Sequence, residues 1–276
     1  MGQYIIKMHF QIFSKLYHCR AKFIPKVDGS LRLASIQTFN RPVFNPLALE
    51  LISEEDPSEE KIFEPCTEEE KRKRATRRAK IQAFDKILCN LDLDTFATFT
   101  FADDAVLDRK SYEECYAKLK TWLSNRVQRR GLKYVIVPER HKKGGIHFHA
   151  IMNSAALELE RARSAKSGRA MTHNGNPLYN ITDWAWGFTS AEIIRGGDDD
   201  RVKVAKYLFK YMGKQQVGAY GEEAKIGGRY FLSGGDLALP IYDYADAPEA
   251  FDYGEPTFER TIEIPGGGIY RELSFL

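Results

Sequence analysis

The sequence predicts an α+β fold in which helices flank a mainly antiparallel β-sheet. In the segment 95–101, TFATFTF, the side chains alternate between two faces with the period of two that is typical of a strand. Two more strand-like segments, 133–139 and 146–152, are separated by a turn at 142–145 and predict a β-hairpin. Segments with a helical pattern are interleaved with these strands, and interleaved helices together with a hairpin indicate the α+β class.

The first 66 residues are predicted to form an N-terminal extension. Residues 1–50 contain aromatic and β-branched stretches interrupted by prolines, which indicate a few short strands and loops. Residues 51–66 are acidic and include two prolines, so we expect a surface linker there. The main domain is expected over 67–240, followed by a C-terminal tail over 241–276.

The main domain is predicted to begin with a helix from Thr67 to about Leu91, because TEEE supplies an N-cap and acidic residues for the first turn. The further predicted elements are, in chain order, a strand over 95–101, a helix over 108–131 that ends near Gly131, the hairpin strands 133–139 and 146–152, a helix over 154–168, a loop that enters a strand over 184–194, and a helix over 201–214 that the acidic residues 198–200 open.

Charge is distributed unevenly along a chain whose formal net charge is only +3. Nine acidic residues fall within 54–70, and the next ten residues, KRKRATRRAK, include seven basic ones. Such a run is typical of a solvated helix face, but it is also suited to binding nucleic-acid phosphates. Under the second interpretation, the candidate contacts are Arg74, Arg77 and Arg78.

Cysteine use and the N-terminus indicate a cytoplasmic protein. The four cysteines form no CxxC pair, which argues against a disulfide framework or a zinc finger and for a reducing compartment. The first residues, MGQYIIKMHFQIF, contain no long apolar run, so we expect neither a signal peptide nor a membrane partner.

Two histidines share one face of the predicted strand 146–152, IHFHAIM. Successive strand residues point to opposite faces, so His147 and His149 project the same way, roughly 7 Å apart along the strand. A half-exposed strand that carries two polar residues by chance would show the same pattern. The alternative is that both imidazoles bind one divalent cation.

Glu139 strengthens the metal-binding interpretation because the short hairpin places it beside the histidines. Two imidazoles and one carboxylate leave coordination positions open for water and a phosphate oxygen, as a Lewis-acidic Mg²⁺ or Mn²⁺ site requires. His141 is a rival third ligand. We favour Glu139, since a hard carboxylate helps to retain a hard metal.

The segment 207–214, YLFKYMGK, places two tyrosines and two lysines on one helix face. Tyr207, Lys210, Tyr211 and Lys214 are spaced at i, i+3, i+4 and i+7. An amphipathic helix with tyrosines at the core margin and extended lysines would show this spacing too. Alternatively, a tyrosine is a nucleophile, since nearby ammonium groups and a polarised phosphate ease attack by a phenol whose pKa is near 10.

These segments resemble the HUH endonucleases when they are taken together and in order. GGIHFHAIM with its upstream glutamate resembles the family's metal-binding motif, and FATFTF resembles its first motif. YLFKYMGK resembles the two-tyrosine motif of rolling-circle replication initiators from small single-stranded DNA phages. The resemblance covers roughly residues 94–215, and residues 1–66 have no counterpart in it.

The resemblance implies a ferredoxin-like sheet and a nickase of single-stranded DNA. His147, His149 and Glu139 would hold the metal, and Tyr207 or Tyr211 would attack a phosphate at a replication origin. The products would be a 5′-phosphotyrosine link and a free 3′-hydroxyl that primes rolling-circle synthesis, with strands rejoined later. Lys210 and Lys214 would neutralise phosphate, and we expect Thr98 and Thr100 to contact DNA.

Further partners and the competing functions follow from what the sequence contains. No GxxxxGK[ST] motif occurs in the chain, so a separate helicase and a polymerase, supplied by a bacterial host if the protein is phage-encoded, are expected partners. A transposase or relaxase of the same superfamily would have the same residues. A non-catalytic ferredoxin-like module that stacks bases on exposed aromatics is the alternative from another class.

Overall fold

A computed structural model describes residues 16–44, 67–102, 108–141, 143–213, 229–264 and 268–276. The predicted acidic linker, 51–66, lies outside these ranges. The chain divides into two compact units. One draws on Met1–Phe23, Arg32–Pro65 and Ile241–Leu276, and the other on Ile24–Leu31 and Cys66–Pro240. We call them the terminal unit and the central unit.

The helices and strands of the described residues are, in chain order, β1 (Leu16–Pro25), β2 (Leu31–Phe44), α1 (Glu68–Leu88), β3 (Thr95–Thr100), α2 (Tyr112–Arg130), β4 (Tyr134–Arg140), β5 (Ile146–Met152), β6 (Leu159–Arg161), β7 (Thr172–His173), β8 (Asn176–Ile181), β9 (Thr189–Ile193), α3 (Asp198–Gly213), β10 (Leu232–Gly234), β11 (Ile241–Ala245), β12 (Phe258–Ile264) and β13 (Gly268–Ser274). Within these ranges, none of the helices is both long enough and apolar enough to cross a bilayer.

The central unit is built on an antiparallel sheet with the strand order β10-β4-β5-β3-β9-β8-β6, and the short strand β7 also pairs with β8. The histidine strand β5 lies between β4 and β3, near the middle of the sheet. The predicted α+β class with a central antiparallel sheet flanked by helices is therefore confirmed, and the arrangement is consistent with a ferredoxin-like fold.

Each face of this sheet is covered by different helices. On one face, α2 buries Leu119 and Trp122 against Phe99 and Phe148. On the other face, α1 and α3 pack over Val137 of β4 and Ile151 of β5. These residues alternate along the strands with the ones that face α2. The alternation of β3 explains this division, because every second residue from Thr95 to Phe99 is buried. The histidines point to the face that α1 and α3 cover.

The C-terminal end of α2 matches the prediction from the sequence, whereas the helix begins at Tyr112 and not at residue 108 as predicted. Ser111 caps the N-terminus, where its hydroxyl accepts a hydrogen bond from the Glu114 backbone N–H. Gly131 follows the last turn with φ +65°, the left-handed conformation that glycine adopts without strain. The β4–β5 hairpin is also confirmed, with Glu139 opposite His147.

The predicted helix over 154–168 is wrong. Ser154–Ala156 form a single 3₁₀ turn, and the chain then continues as the short strand β6, which pairs with β8. Tertiary contacts override the helix-favouring composition here. Ala156 and Leu157 are buried against the α2 face, and the Glu158 carboxylate forms ion pairs with two arginines of α2, Arg126 and Arg130.

The terminal unit contains a second antiparallel sheet, of order β11-β1-β2-β13-β12, that was not predicted from the sequence. It joins strands from both ends of the chain around a small core that includes Cys19, Ile36 and Leu273. The two N-terminal strands are long, with 10 and 14 residues, where short strands were predicted. Strands from the first 44 residues pair with strands that begin at Ile241 and Gly268, and local patterns cannot reveal so distant a pairing.

Candidate active site

The candidate site is centred on β5, where both histidines face α1 and α3. In the sheet register, Thr98 of β3 lies opposite His149, and Thr100 lies opposite His147. On the other side of β5, Glu139 lies opposite His147. Residues directly opposite one another in an antiparallel pair share a face. The fold therefore gathers these polar side chains from three adjacent strands.

His149 is fixed by hydrogen bonds at both ring nitrogens. Its Nε2 lies 2.8 Å from Glu139 Oε2, and its Nδ1 lies 3.1 Å from the Thr98 hydroxyl. The His149 residue is only 6% exposed, whereas a quarter of the Glu139 side chain is accessible. Because a carboxylate only accepts, a neutral His149 donates from Nε2 and its Nδ1 accepts from Thr98. The pair is thus open to solvent through Glu139.

His147 lies two residues before His149 on the same face and is half-buried. Its ring stacks on that of His141, with 5.3 Å between the centroids. Burial lowers the pKa of His147, and the nearby His149 and His141 lower it further. A lowered pKa favours the neutral imidazole, which is the form that binds metals.

The predicted ligands fit a divalent metal by their chemistry, and a hydrogen bond joins two of them. Glu139 is hydrogen-bonded to His149, and His147, two residues before His149, lies directly opposite Glu139 in the sheet. Among the described residues, no three His, Cys, Asp or Glu side chains converge closely enough to hold an ion. Two imidazoles and a carboxylate lie on one face, and the Glu139 carboxylate is partly accessible to solvent. Such a donor set is suited to a metal with open coordination positions.

The tyrosine helix packs on the histidine face. The side of α3 that contacts the sheet is apolar and includes Ala205, Leu208 and Met212. Tyr207 lies at the margin of this contact and is 43% exposed. Its ring contacts Phe96 edge-on at 5.5 Å, and the Phe96 ring lies nearly parallel to that of His149 at 6.1 Å. Phe96 therefore links the tyrosine to the Glu139–His149 pair.

The positively charged side chain of Lys210 lies next to Tyr207. The ammonium nitrogen of Lys210 lies 4.9 Å from the centroid of the Tyr207 ring, at cation–π distance. Tyr211 follows Tyr207 by one turn within α3, but its side chain and the whole of Lys214 lie outside the described residues. The described part of the predicted two-tyrosine motif is thus Tyr207 with Lys210.

The predicted DNA contacts lie partly in β3, where both threonine hydroxyls form hydrogen bonds within the protein, and partly in α1. The Thr98 hydroxyl is bonded to His149, and the Thr100 hydroxyl donates to the Phe188 carbonyl at 2.8 Å. In α1, which packs on the same sheet face as α3, Arg77 and Arg78 are exposed. The Arg74 side chain lies outside the described residues. The basic run therefore belongs to a helix whose apolar side packs on the histidine face.

A pocket of about 680 Å³ adjoins Tyr207, and it was not predicted from the sequence. It is bounded by α3 and by the strands β7 to β9, and its lining includes Phe96, Tyr207 and Glu192. Asn174-Gly175 is a two-residue turn signal that would have predicted the hairpin between β7 and β8. The polar residues of the pocket meet only in the folded sheet.

Comparison with known proteins finds a similarity to a family of replication-associated proteins. Residues 94–216 match the family model described as replication-associated protein ORF2/G2P. The match covers less than half of the chain and includes β3, the histidine strand, the pocket strands and α3. No curated protein and no solved structure matches the chain. The segment that carries the candidate site is thus similar to replication-associated proteins.

Proposed function

We propose that the protein initiates replication by nicking single-stranded DNA with a tyrosine nucleophile. One observation carries this proposal. The Glu139–His149 pair and Tyr207 lie on one sheet face and are linked through Phe96, in the segment that is similar to replication-associated proteins. A base-stacking module would have no need for a hydrogen-bonded carboxylate and imidazole beside an accessible phenol.

In this proposal Glu139, His147 and His149 hold Mg²⁺ or Mn²⁺. The bound ion would supply a Lewis acid that polarises the scissile phosphate. To offer the Nε2 lone pair, His149 must carry its proton on Nδ1, facing Thr98. The Thr98 hydroxyl can accept as well as donate, so it supports this tautomer at the same 3.1 Å position. Thr98 would thereby orient the ring in both forms.

The chemistry proposed for the tyrosine is a transesterification. The phenolic oxygen of Tyr207 or Tyr211 attacks phosphorus, and the bond from phosphorus to the 3′-oxygen breaks. The phenolic proton passes to solvent, and the departing 3′-oxygen takes up a proton. The products are a 5′-phosphotyrosine and a free 3′-hydroxyl that a polymerase can extend. Lys210, beside the Tyr207 ring, stabilises the developing phenolate, and Lys214 would neutralise phosphate.

Two tyrosines suit a reaction that must cut once to begin and again to finish. After the first cut one phenol is occupied by DNA. A second phenol, one helical turn away, can attack the regenerated origin without hydrolysis of the first link. We therefore propose that Tyr207 and Tyr211 act in successive steps, with strand rejoining when the 3′-hydroxyl attacks the phosphotyrosine.

The test is an adduct assay with end-labelled single-stranded DNA. A pool of diverse oligonucleotides is incubated with the protein and Mn²⁺, and protein–DNA adducts are separated on a denaturing gel. Tyr207→Phe and Tyr211→Phe should each retain some adduct, whereas the double variant should form none. Tyr116→Phe, on the opposite sheet face, is the matched control and should be fully active. Adduct formation by the double variant would refute the proposal.

Native and denaturing gels of the same reaction distinguish this function from the alternative classes of protein. A non-catalytic binding module would retain DNA in a native gel but yield no adduct in a denaturing one. A transposase or relaxase would yield the adduct, and the DNA site it selects from the pool would distinguish it from an origin-specific initiator. His149→Ala should reduce adduct formation by about 10²-fold or more, since it removes a proposed ligand.

A further inference from the structure

The pocket beside Tyr207 continues the row of side chains that forms the candidate site. On the shared sheet face, Phe96 lies opposite Glu192 of β9, and Glu192 lies opposite Leu178 of β8. Adjacent strands are about 4.8 Å apart, so Glu192 is one strand away from Phe96 and two from β5. The volume, about 680 Å³, is within the roughly 300–1,000 Å³ of ligand pockets.

The polar group of the pocket is a carboxylate held in a fixed orientation. Glu192 Oε2 lies 3.0 Å from His173 Nδ1, and Oε1 accepts a hydrogen bond from the Asn176 amide at 2.7 Å. A quarter of the Glu192 side chain is accessible. Each carboxylate oxygen has a second lone pair, so both can accept a further hydrogen bond from a ligand.

The hairpin that supplies these partners is held by its turn. Asn174 and Gly175, with φ +49° and +83°, form the two-residue connection between β7 and β8. Asparagine and glycine tolerate these left-handed conformations best. His173 and Asn176 flank the turn directly, which places both hydrogen-bond donors toward Glu192.

The remaining surroundings of the pocket suit a flat, partly apolar ligand that is attached to a phosphate. Phe96 supplies an aromatic ring, and Leu178 and Val204 supply apolar surface. Lys203 lines the pocket with its side chain three-quarters exposed, paired with Asp200 at 2.9 Å. Arg195 is an exposed lining residue. An aromatic ring, a carboxylate acceptor and cations are the groups that bind unpaired nucleotides.

We propose that this pocket binds one unpaired base of the DNA strand, next to the phosphate that the tyrosine attacks, and that Glu192 selects a base with an exocyclic amino group. This inference rests on the proposed nicking function. Adenine, cytosine and guanine each carry an exocyclic amino group that can donate a hydrogen bond to a carboxylate, whereas thymine presents carbonyl oxygens on either side of its single N–H. Glu192 therefore discriminates against thymine.

The test measures binding by the full chain in the presence of a chelator, so that cleavage plays no part. Fluorescence anisotropy is recorded with fluorescein-labelled (dA)12, (dC)12 and (dT)12. Proteins that bind single strands without reading bases commonly prefer flexible pyrimidine runs. We expect instead that (dA)12 and (dC)12 both bind at least about tenfold more tightly than (dT)12, the discrimination of one good carboxylate–amino contact.

Glu192→Gln keeps the shape of the side chain but replaces one acceptor with a donor. It should bring all three oligonucleotides to within about twofold of one another while leaving (dT)12 affinity unchanged. Glu160→Gln, on the exposed edge strand β6, is the matched control and should keep the wild-type preference. His173→Gln, at an exposed position, removes one partner of Glu192 and should reduce the preference in part even if Glu192→Gln fails to fold.

The outcomes separate this inference from the proposed function. Equal affinities in the wild type, or a preference that survives in both Glu192→Gln and His173→Gln, would overturn the base pocket whether or not the adduct forms. A preference that depends on Glu192 together with no adduct under any condition would instead establish the pocket and refute the nickase.

Discussion

Replacing Arg201 with methionine should destabilise the central unit more than any surface change in α3. Arg201 lies in the first turns of α3 and is only 7% exposed. Its guanidinium donates to the carbonyl oxygens of Ile87, Asn90, Leu91 and Leu93 at 3.0, 2.6, 2.8 and 3.5 Å. These carbonyls lie at and just beyond the end of α1, where helix carbonyls lack partners within the helix. Arg201 thus caps one helix from the other.

The magnitude follows from these contacts. Each hydrogen bond from a charged donor contributes roughly 1.5–3 kcal/mol, and methionine leaves four carbonyls without this donor. Removing the buried charge offsets part of this loss, since burial itself disfavours the guanidinium and lowers the pKa of Arg201. We therefore expect a net loss of about 3–5 kcal/mol. At about 2–4 °C for each kcal/mol, the melting temperature should fall by about 10 °C.

Thermal unfolding followed by circular dichroism measures this effect. Lys206→Met is the matched control, because it removes an exposed cation from the same helix, and its melting temperature should stay within about 2 °C of the wild type. An Arg201→Met protein that melts with the wild type would show that α1 and α3 are held by apolar packing alone. Because α3 carries Tyr207, the destabilised variant should also form less DNA adduct near its melting temperature.

The candidate site, the basic helix and the core each give one further prediction. Thr98→Val removes the hydroxyl bonded to His149, so we expect about 10–100-fold less adduct at low Mn²⁺; an unchanged Mn²⁺ titration would exclude an orienting role. Arg77→Gln with Arg78→Gln should flatten the slope of log K against log salt by about 0.7 for each DNA phosphate that the arginines no longer neutralise, measured with (dT)12; an unchanged slope would indicate a merely solvated helix face. Burial raises the pKa of Cys115 to about 12, so its thiolate is scarce at pH 8; peptide mapping should find it alkylated by iodoacetamide only after denaturation.

Local pattern was sufficient to predict the elements that carry the candidate site. The alternation of β3, the β4–β5 hairpin and the glycine that ends α2 all depend on neighbours within a few positions. The shared face of His147 and His149 follows from strand geometry alone. These features could be predicted because the period of a strand or helix is a property of the backbone.

The tertiary structure alone decided which of these residues meet. Thr98, named from the sequence as a DNA contact, is bonded to His149 because β3 pairs with β5 in one particular register. The segment 154–168 has a helical composition, but it forms the strand β6, and its Glu158 forms ion pairs with α2. The terminal sheet joins strands from opposite ends of the chain. Such contacts depend on the free energy of packing and pairing between distant segments, and no local pattern in the sequence encodes that free energy.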